Sequence, residues 1–171
     1  FGLEGVGFDL LLSEGKKKKL LELPKELISS AIKSVLEPTA RLNEGLLLSK
    51  NHLATSSIDS SDGLAKSLHW ISELSNVGII VDKLPTDPLL DEHNDMLSRD
   101  DIFNWVIYGG EEYELIFTVN PKKIKKLKEL FHNEELTVSI IGKCTSDKGI
   151  YYLSSPNNKI PIKRLGWETF K

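Results

Sequence analysis

A chain of 171 residues, 40% of them hydrophobic, is long enough to bury a core and fits one domain, which argues against disorder. Its net charge of −3, from 22 basic and 25 acidic residues, argues against a protein that holds nucleic acid by bulk charge. The single cysteine, Cys144, excludes a disulfide within these residues and fits a reducing cytoplasm. No apolar stretch reaches the roughly 18 residues of a membrane span.

The first 38 residues predict two helices separated by a charged loop. Apolar residues recur at helical spacing over residues 1–12, where several glycines would permit close packing against a neighbour. Residues 13–23 predict a loop, and an apolar stripe then predicts a helix over residues 24–38. Because the first residue is Phe1, not Met, and a helical pattern starts almost at once, we expect a piece of a longer polypeptide.

The rest of the chain alternates extended and helical patterns. Strands are predicted at residues 52–57, 79–81, 113–119, 136–141, 149–153 and, at a sheet edge, 160–162. Helices are predicted at residues 62–76, 102–107 and from 121 onward, whereas residues 41–50 are ambiguous and the turn-rich residues 84–99 have room for a short helix. We therefore expect an α/β or α+β fold in which helices pack on one largely mixed sheet.

The stretch Asp59-Ser60-Ser61-Asp62-Gly63 stands where a strand is predicted to turn into a helix. Two carboxylates about 5 Å apart would repel by roughly 3 kcal/mol at an effective dielectric constant near 20. Mg²⁺, which accepts one or two carboxylates together with phosphate oxygens, would convert that repulsion into a binding site. Ser61 or Asp62 could also cap the helix, and in the alternative interpretation Asp62 is only a cap and Asp59 only a loop residue.

A second group of acids follows the predicted helix at 102–107, in Gly109-Gly110-Glu111-Glu112-Tyr113-Glu114-Leu115. By itself this is typical of a capped turn. Its glycines would also permit a close backbone approach, and Glu111 and Glu112 would stand at a strand entrance, where acids can face a cleft. We expect Asp59 and Asp62 to line a solvent-open acidic pocket with Glu111 or Glu112 nearby.

These two motifs, with Ile141-Gly142 and the closing Gly166-Trp167 and Phe170, resemble the C-terminal half of the thiamine-monophosphate kinase family over nearly the whole chain. That family belongs to the aminoimidazole ribonucleotide synthetase superfamily. The resemblance implies the superfamily's C-terminal fold, partly ferredoxin-like, with residues 1–171 forming a single C-terminal domain. It also implies ATP-dependent phosphorylation of thiamine monophosphate to thiamine diphosphate in the cytoplasm.

The resemblance also assigns roles to residues. The positions matching Asp59 and Asp62 bind Mg²⁺, and the position matching Ser61 contacts ATP. Glu111 or Glu112, together with Trp167, matches positions that contact the thiamine substrate. In the alternative interpretation Trp167 only anchors the C-terminal segment by packing. An aromatic ring would suit the cationic thiazolium.

The resemblance covers only half of the family's length. The N-terminal domain that carries most of the Mg²⁺-binding aspartates and forms the homodimer has no counterpart in this sequence, so we expect activity to belong to a longer protein. Two alternatives remain open at this point. The chain could be a non-catalytic binding or regulatory module of the same fold, or part of another ATP-dependent member of the superfamily.

Overall fold

The computed structural model describes residues 1–12 and 18–166, which form seven α-helices and six strands. The helices are α1 (Leu3–Leu12), α2 (Lys25–Leu36), α3 (Leu42–Lys50), α4 (Leu64–Ser75), α5 (Pro88–Glu92), α6 (Arg99–Tyr108) and α7 (Ile124–Asn133). The strands are β1 (Ala54–Asp59), β2 (Gly78–Val81), β3 (Leu115–Val119), β4 (Gly142–Thr145), β5 (Ile150–Ser155) and β6 (Asn158–Pro161). Short 3₁₀ turns precede α2 and α7, at Lys18–Glu22 and Pro121–Lys123.

The helices follow the apolar patterns of the sequence. The predicted helices at 1–12, 24–38 and 102–107 are confirmed as α1, α2 and α6, and the ambiguous residues 41–50 form α3. Part of the predicted loop at 13–23 lies outside the described residues, and its second half contains a 3₁₀ turn. No helix among the described residues has the length and apolar character that crossing a membrane requires.

The six strands form two sheets where the sequence predicted one. β1 pairs antiparallel with β3, and a separate four-stranded mixed sheet has the order β4-β2-β5-β6. Only β2 and β5 run parallel, and β6 lies at the edge as predicted. Helix α4 packs against both sheets, since its residues Leu64, Ala65, Leu68 and Ile71 lie in one apolar cluster with residues from each. The mixed α/β class is confirmed.

The predicted strand at residues 136–141 is wrong, since β4 begins only at Gly142. Leu136 and Val138 instead pack onto the apolar cluster of α3, α7 and β3, and neither residue belongs to a strand. Their alternating apolar pattern therefore reflects contact with that cluster and not membership of a sheet. Pairing with β2 starts at Gly142, opposite Val81.

Helices α1, α2, α5 and α6 enclose a separate apolar cluster centred on Val6, Leu27 and Ala31. The helices α1 and α2 approach closely because Gly7 has no side chain: a Cβ there would lie 2.1 Å from the carbonyl oxygen of Ala31. The expected packing role of the α1 glycines is thus confirmed. This helical layer supports α6, and the end of α6 leads into the second acidic motif.

Candidate functional site

The two acidic motifs meet in space. We call residues 58–63 the first junction and residues 109–115 the second junction. The Ser60 amide donates to the Glu114 carbonyl oxygen at 2.9 Å, and the Glu114 amide donates back to the Ser60 hydroxyl oxygen at 3.1 Å. The Glu111 amide donates to the Ser61 carbonyl oxygen at 2.7 Å. These bonds continue the β1–β3 pairing beyond Asp59 and Leu115, so one backbone framework carries both motifs.

Glycine is required where the junctions touch. Gly63 has φ +98° and ψ 158°, a backbone conformation essentially restricted to glycine. A Cβ on Gly63 would lie 1.8 Å from the carbonyl oxygen of Gly109, closer than any pair of non-bonded atoms tolerates. The contact is therefore backbone against backbone, and it fixes the start of α4 against the end of α6.

Helix α4 begins directly behind the first junction, and its N-cap is Gly63, not Ser61 or Asp62. The expectation that one of those two residues caps the helix is wrong, because the tight contact of Gly63 moves the helix start one residue further along. A glycine cap has no side chain to occupy the first-turn amides, which with the helix dipole favour an anion. Ser67 in α4 ties this start to the strand, since its hydroxyl donates to the carbonyl oxygen of Asp59 at 2.8 Å.

The two aspartates of the first junction are exposed to solvent. Asp59 ends β1, and the side chain of Asp62 is 57% exposed, with the Lys66 ammonium 3.9 Å from its carboxylate. Ser61 between them is half-buried. Over residues 1–12 and 18–166, no group of three or more metal-binding side chains gathers in one place. The donors present, two carboxylates, suit Mg²⁺ that takes its other ligands from water and phosphate.

Glu111 and Glu112 point to different sides of the second junction. The Glu111 carboxylate accepts a hydrogen bond of 2.5 Å from the Tyr113 hydroxyl. This bond and the charge of Glu111 are the main causes that raise the pKa of Tyr113, and the charge of Asp59 adds a smaller effect. Glu111, Tyr113 and Asp59 thus share one solvent-exposed face. Both Glu111 and Tyr113 have left-handed backbone, with φ +63° and +51°, which costs on the order of 1–2 kcal/mol for each such residue.

Glu112 is only 4% exposed and lies on the opposite side. Its Oε1 accepts a hydrogen bond of 2.8 Å from the Gly2 amide, and Oε2 has no partner within the described part of the chain. Burial raises the pKa of Glu112 well above its ordinary value. Of the two acids expected near the aspartates, the geometry therefore favours Glu111, and it sets Glu112 apart from the solvent-open pocket that the sequence predicted.

Glu112 lines a cleft of ≈ 180 Å³ behind the second junction. Arg41 lies in the same cleft and binds Glu114 with two hydrogen bonds, from Nε at 3.1 Å and from Nη2 at 2.6 Å. Burial also raises the pKa of Glu4, which faces this cleft. Sequence reasoning missed Arg41 because it lies in the segment whose structure was ambiguous. It missed the contact of Tyr113 with Glu111 because that contact needs two left-handed residues.

Trp167 lies outside the described residues. The residue before it packs on the first junction, since a Cβ on Gly166 would lie 2.2 Å from the carbonyl oxygen of Asp62. Arg164 holds the segment before Gly166 on α4, because its guanidinium lies 4.4 Å from the Trp70 ring centre and donates to Glu73 at 2.8 Å. The last described residues therefore reach the exposed face that carries the aspartates.

The chain belongs to the family of the C-terminal domain of AIR synthase related proteins, whose model matches residues 2–153. Within this family, the protein named thiamine-monophosphate kinase from Nitrosopumilus maritimus is 33% identical over 171 residues, which are 100% of this chain and 51% of the relative. The correspondingly named protein of Buchnera aphidicola subsp. Schizaphis graminum is 34% identical over 99% of this chain and 50% of its own length. The chain thus spans about half the length of these curated relatives.

Solved structures show the same relationship. The crystal structure of thiamine-monophosphate kinase from Stenotrophomonas maltophilia K279a has a TM-score of 0.75 at 29% identity, over 89% of this chain and 47% of that one. A structure described as AaThiL complexed with AMPPCP and TMP has a TM-score of 0.72 at 27% identity, over 99% of this chain and 48% of that one. The predicted superfamily fold is confirmed.

Proposed function

We propose that this chain is the C-terminal half of a kinase that phosphorylates thiamine monophosphate to thiamine diphosphate at the expense of ATP. The proposal rests on the hydrogen bonds between the two junctions, which place Asp59, Ser61 and Glu111 on one backbone framework. The relatives named for this activity support it, as does the related structure with AMPPCP, an analogue of ATP, and TMP. In the reaction a terminal phosphate oxygen of thiamine monophosphate bonds to the γ-phosphorus of ATP, and ADP leaves.

Phosphoryl transfer needs charge neutralisation and alignment more than covalent chemistry from the protein. We assign Asp59 and Asp62 to hold Mg²⁺, which when bound neutralises the charge of phosphate oxygens. Ser61 and the uncapped amides at the start of α4 would hold a phosphate group of ATP. Glu111 and, beyond Gly166, Trp167 would contact the thiamine part of the acceptor. Glu112 is not assigned to the acceptor, because its carboxyl group is buried on the other side.

The complete site needs more than this chain. Two exposed carboxylates leave Mg²⁺-bound triphosphate mostly in solvent, so a second domain would have to supply further acids and close the site. We assign residues 1–171 to one C-terminal domain of a longer cytoplasmic protein, whose N-terminal domain carries the remaining aspartates and forms a homodimer. The half-length match to the curated relatives supports this arrangement.

The test is the activity of the full-length protein with thiamine monophosphate, ATP and Mg²⁺. Asp59→Asn should lower turnover on the order of 10²-fold, the loss typical of removing a group that acts on transition-state charge. Its unfolding free energy should change by less than about 0.5 kcal/mol, because the side chain is exposed. Asp95→Asn, at an exposed turn, is the matched control and should leave turnover unchanged.

Two results would count against the proposal. Equal turnover of Asp59→Asn and wild type at saturating Mg²⁺ would remove the metal assignment. A full-length wild-type protein that forms no thiamine diphosphate would remove the kinase assignment and favour a binding module of the same fold.

A further inference from the structure

In the second junction, Glu111, Glu112 and Tyr113 point alternately to opposite sides, although none of them belongs to a strand. β3 begins only at Leu115, whereas Glu111 and Tyr113 have left-handed backbone and form a hydrogen bond on the exposed side. On that side the Glu111 amide bonds to Ser61, which lies between the two aspartates in the chain. Glu112 lies between Glu111 and Tyr113 and faces the interior. Left-handed backbone at two non-glycine residues is unfavourable by itself, so other contacts must hold this alternation in place.

One such contact that reaches outside the two junctions is made by Glu112. Its Oε1 accepts from the Gly2 amide, which lies at the start of α1. Gly2 is itself immobilised, because with φ +100° a Cβ would meet Leu90 at 2.8 Å and Val106 at 3.0 Å. The Glu112 carboxyl group therefore links the second junction to a fixed point between α5 and α6.

Stability alone does not explain a glutamate at this position. The Oε2 atom is buried without a hydrogen-bond partner among the described residues, and burying an unpaired carboxyl oxygen is costly. An apolar side chain of similar length would fill the same space without that cost. What the carboxyl group supplies, and an apolar group does not, is a directional acceptor for the Gly2 amide.

We infer that Glu112 is a positioning residue: its bond to the Gly2 amide holds the left-handed turn that directs Glu111 and Tyr113 to the face of the aspartates. Through Glu111 it would set the geometry in which the phosphoryl acceptor is bound. This second step rests on the proposed function, whereas the first is a property of the chain itself.

The first step is tested by amide hydrogen exchange in the 171-residue chain. Glu112→Gln keeps a carbonyl oxygen for the Gly2 amide, whereas Glu112→Met keeps the length and removes the acceptor. Exchange of the Glu111 amide, which bonds to the Ser61 carbonyl oxygen, should accelerate about tenfold or more in the Met variant and less than about threefold in the Gln variant. Exchange of the Ser60 amide should stay unchanged in both. Unchanged protection of the Glu111 amide in the Met variant would overturn the inference.

The second step is tested in the full-length protein. Glu112→Met should raise KM for thiamine monophosphate about tenfold while KM for ATP stays within about twofold, and Glu112→Gln should restore the wild-type value. A purely structural role would lower kcat in proportion to the folded fraction and leave both KM values unchanged, which would overturn the positioning role. If wild type shows no kinase activity, the proposed function fails, and the exchange experiment still decides whether Glu112 holds the turn.

Discussion

Replacing Gly63 by alanine tests the contact that joins the two junctions. The substitution places a Cβ 1.8 Å from the carbonyl oxygen of Gly109, at φ +98°. The backbone conformation costs about 1–3 kcal/mol for a residue with a side chain. Relieving the overlap by moving backbone costs about 1–3 kcal/mol more. We therefore expect a loss of about 2–6 kcal/mol, a large part of the roughly 5–15 kcal/mol that stabilises an ordinary domain.

The assay is urea unfolding followed by circular dichroism, with a thermal melt beside it. At about 2–4 °C for each kcal/mol in a domain of this size, the midpoint temperature should fall by at least about 4 °C. Gly45→Ala is the matched control. Gly45 lies inside α3, and its added methyl group would lie 3.8 Å from Leu115, an ordinary contact distance. It should raise stability by up to about 1 kcal/mol, the difference in helix propensity.

Equal effects of the two substitutions would show that the Gly63–Gly109 contact does not constrain the fold. The Gly63→Ala variant could instead keep normal stability while its Glu111 amide loses protection against hydrogen exchange. In that case the second junction would have moved to accommodate the methyl group.

Three further predictions concern single groups. Burial raises the pKa of Glu112 above 4.5 and outweighs the opposing effects of the Phe1 ammonium and the Gly2 amide, so the folded chain holds this proton longer than the unfolded chain. The stabilisation from this group is complete below about pH 4.5 and is lost as pH rises through the raised pKa of Glu112. Between about pH 4 and pH 8, the urea midpoint should therefore fall less for Glu112→Gln than for wild type. Trp105→Phe removes the indole bond of 2.7 Å to Asp9 and should cost about 1–3 kcal/mol in urea unfolding. Cys144 is exposed, but burial raises the pKa of its thiol, so one thiol per chain should react without denaturant, more slowly than free cysteine.

Much of this architecture was predictable because local patterns agree with the tertiary structure. The stripe of α2 and the buried face of α4 have the period of a helix, and each packs on an apolar cluster. The functional interest of both junctions also followed from sequence, because two groups of acids and glycines stand at element boundaries in one chain, although each by itself is typical of a capped turn. Their adjacency in space was also expected, and the hydrogen bonds between them agree with it.

The features of the fold that the sequence did not predict depend on long-range contacts. Whether the strands form one sheet or two is decided by pairing between residues far apart in the chain, which no local pattern encodes. The direction of Glu112 depends on a bond to Gly2, 110 residues away in the chain, and on left-handed backbone at two residues that are not glycine. The apolar residues at 136 and 138 resemble a strand because helix packing can also bury alternate side chains.

The reciprocal bonds between Ser60 and Glu114 have a consequence for the order of folding. The two residues are 54 positions apart. Closing a loop of that length costs on the order of 3 kcal/mol of free energy, because the chain loses entropy before stabilising contacts form. The hairpin of α1 and α2 and the turn from α4 into β2 close much shorter loops. Local helices should therefore appear first, and the site should assemble late, when β1 meets β3. Pulse labelling of the Ser60 and Glu114 amides during refolding would detect this as protection acquired only in the last kinetic phase.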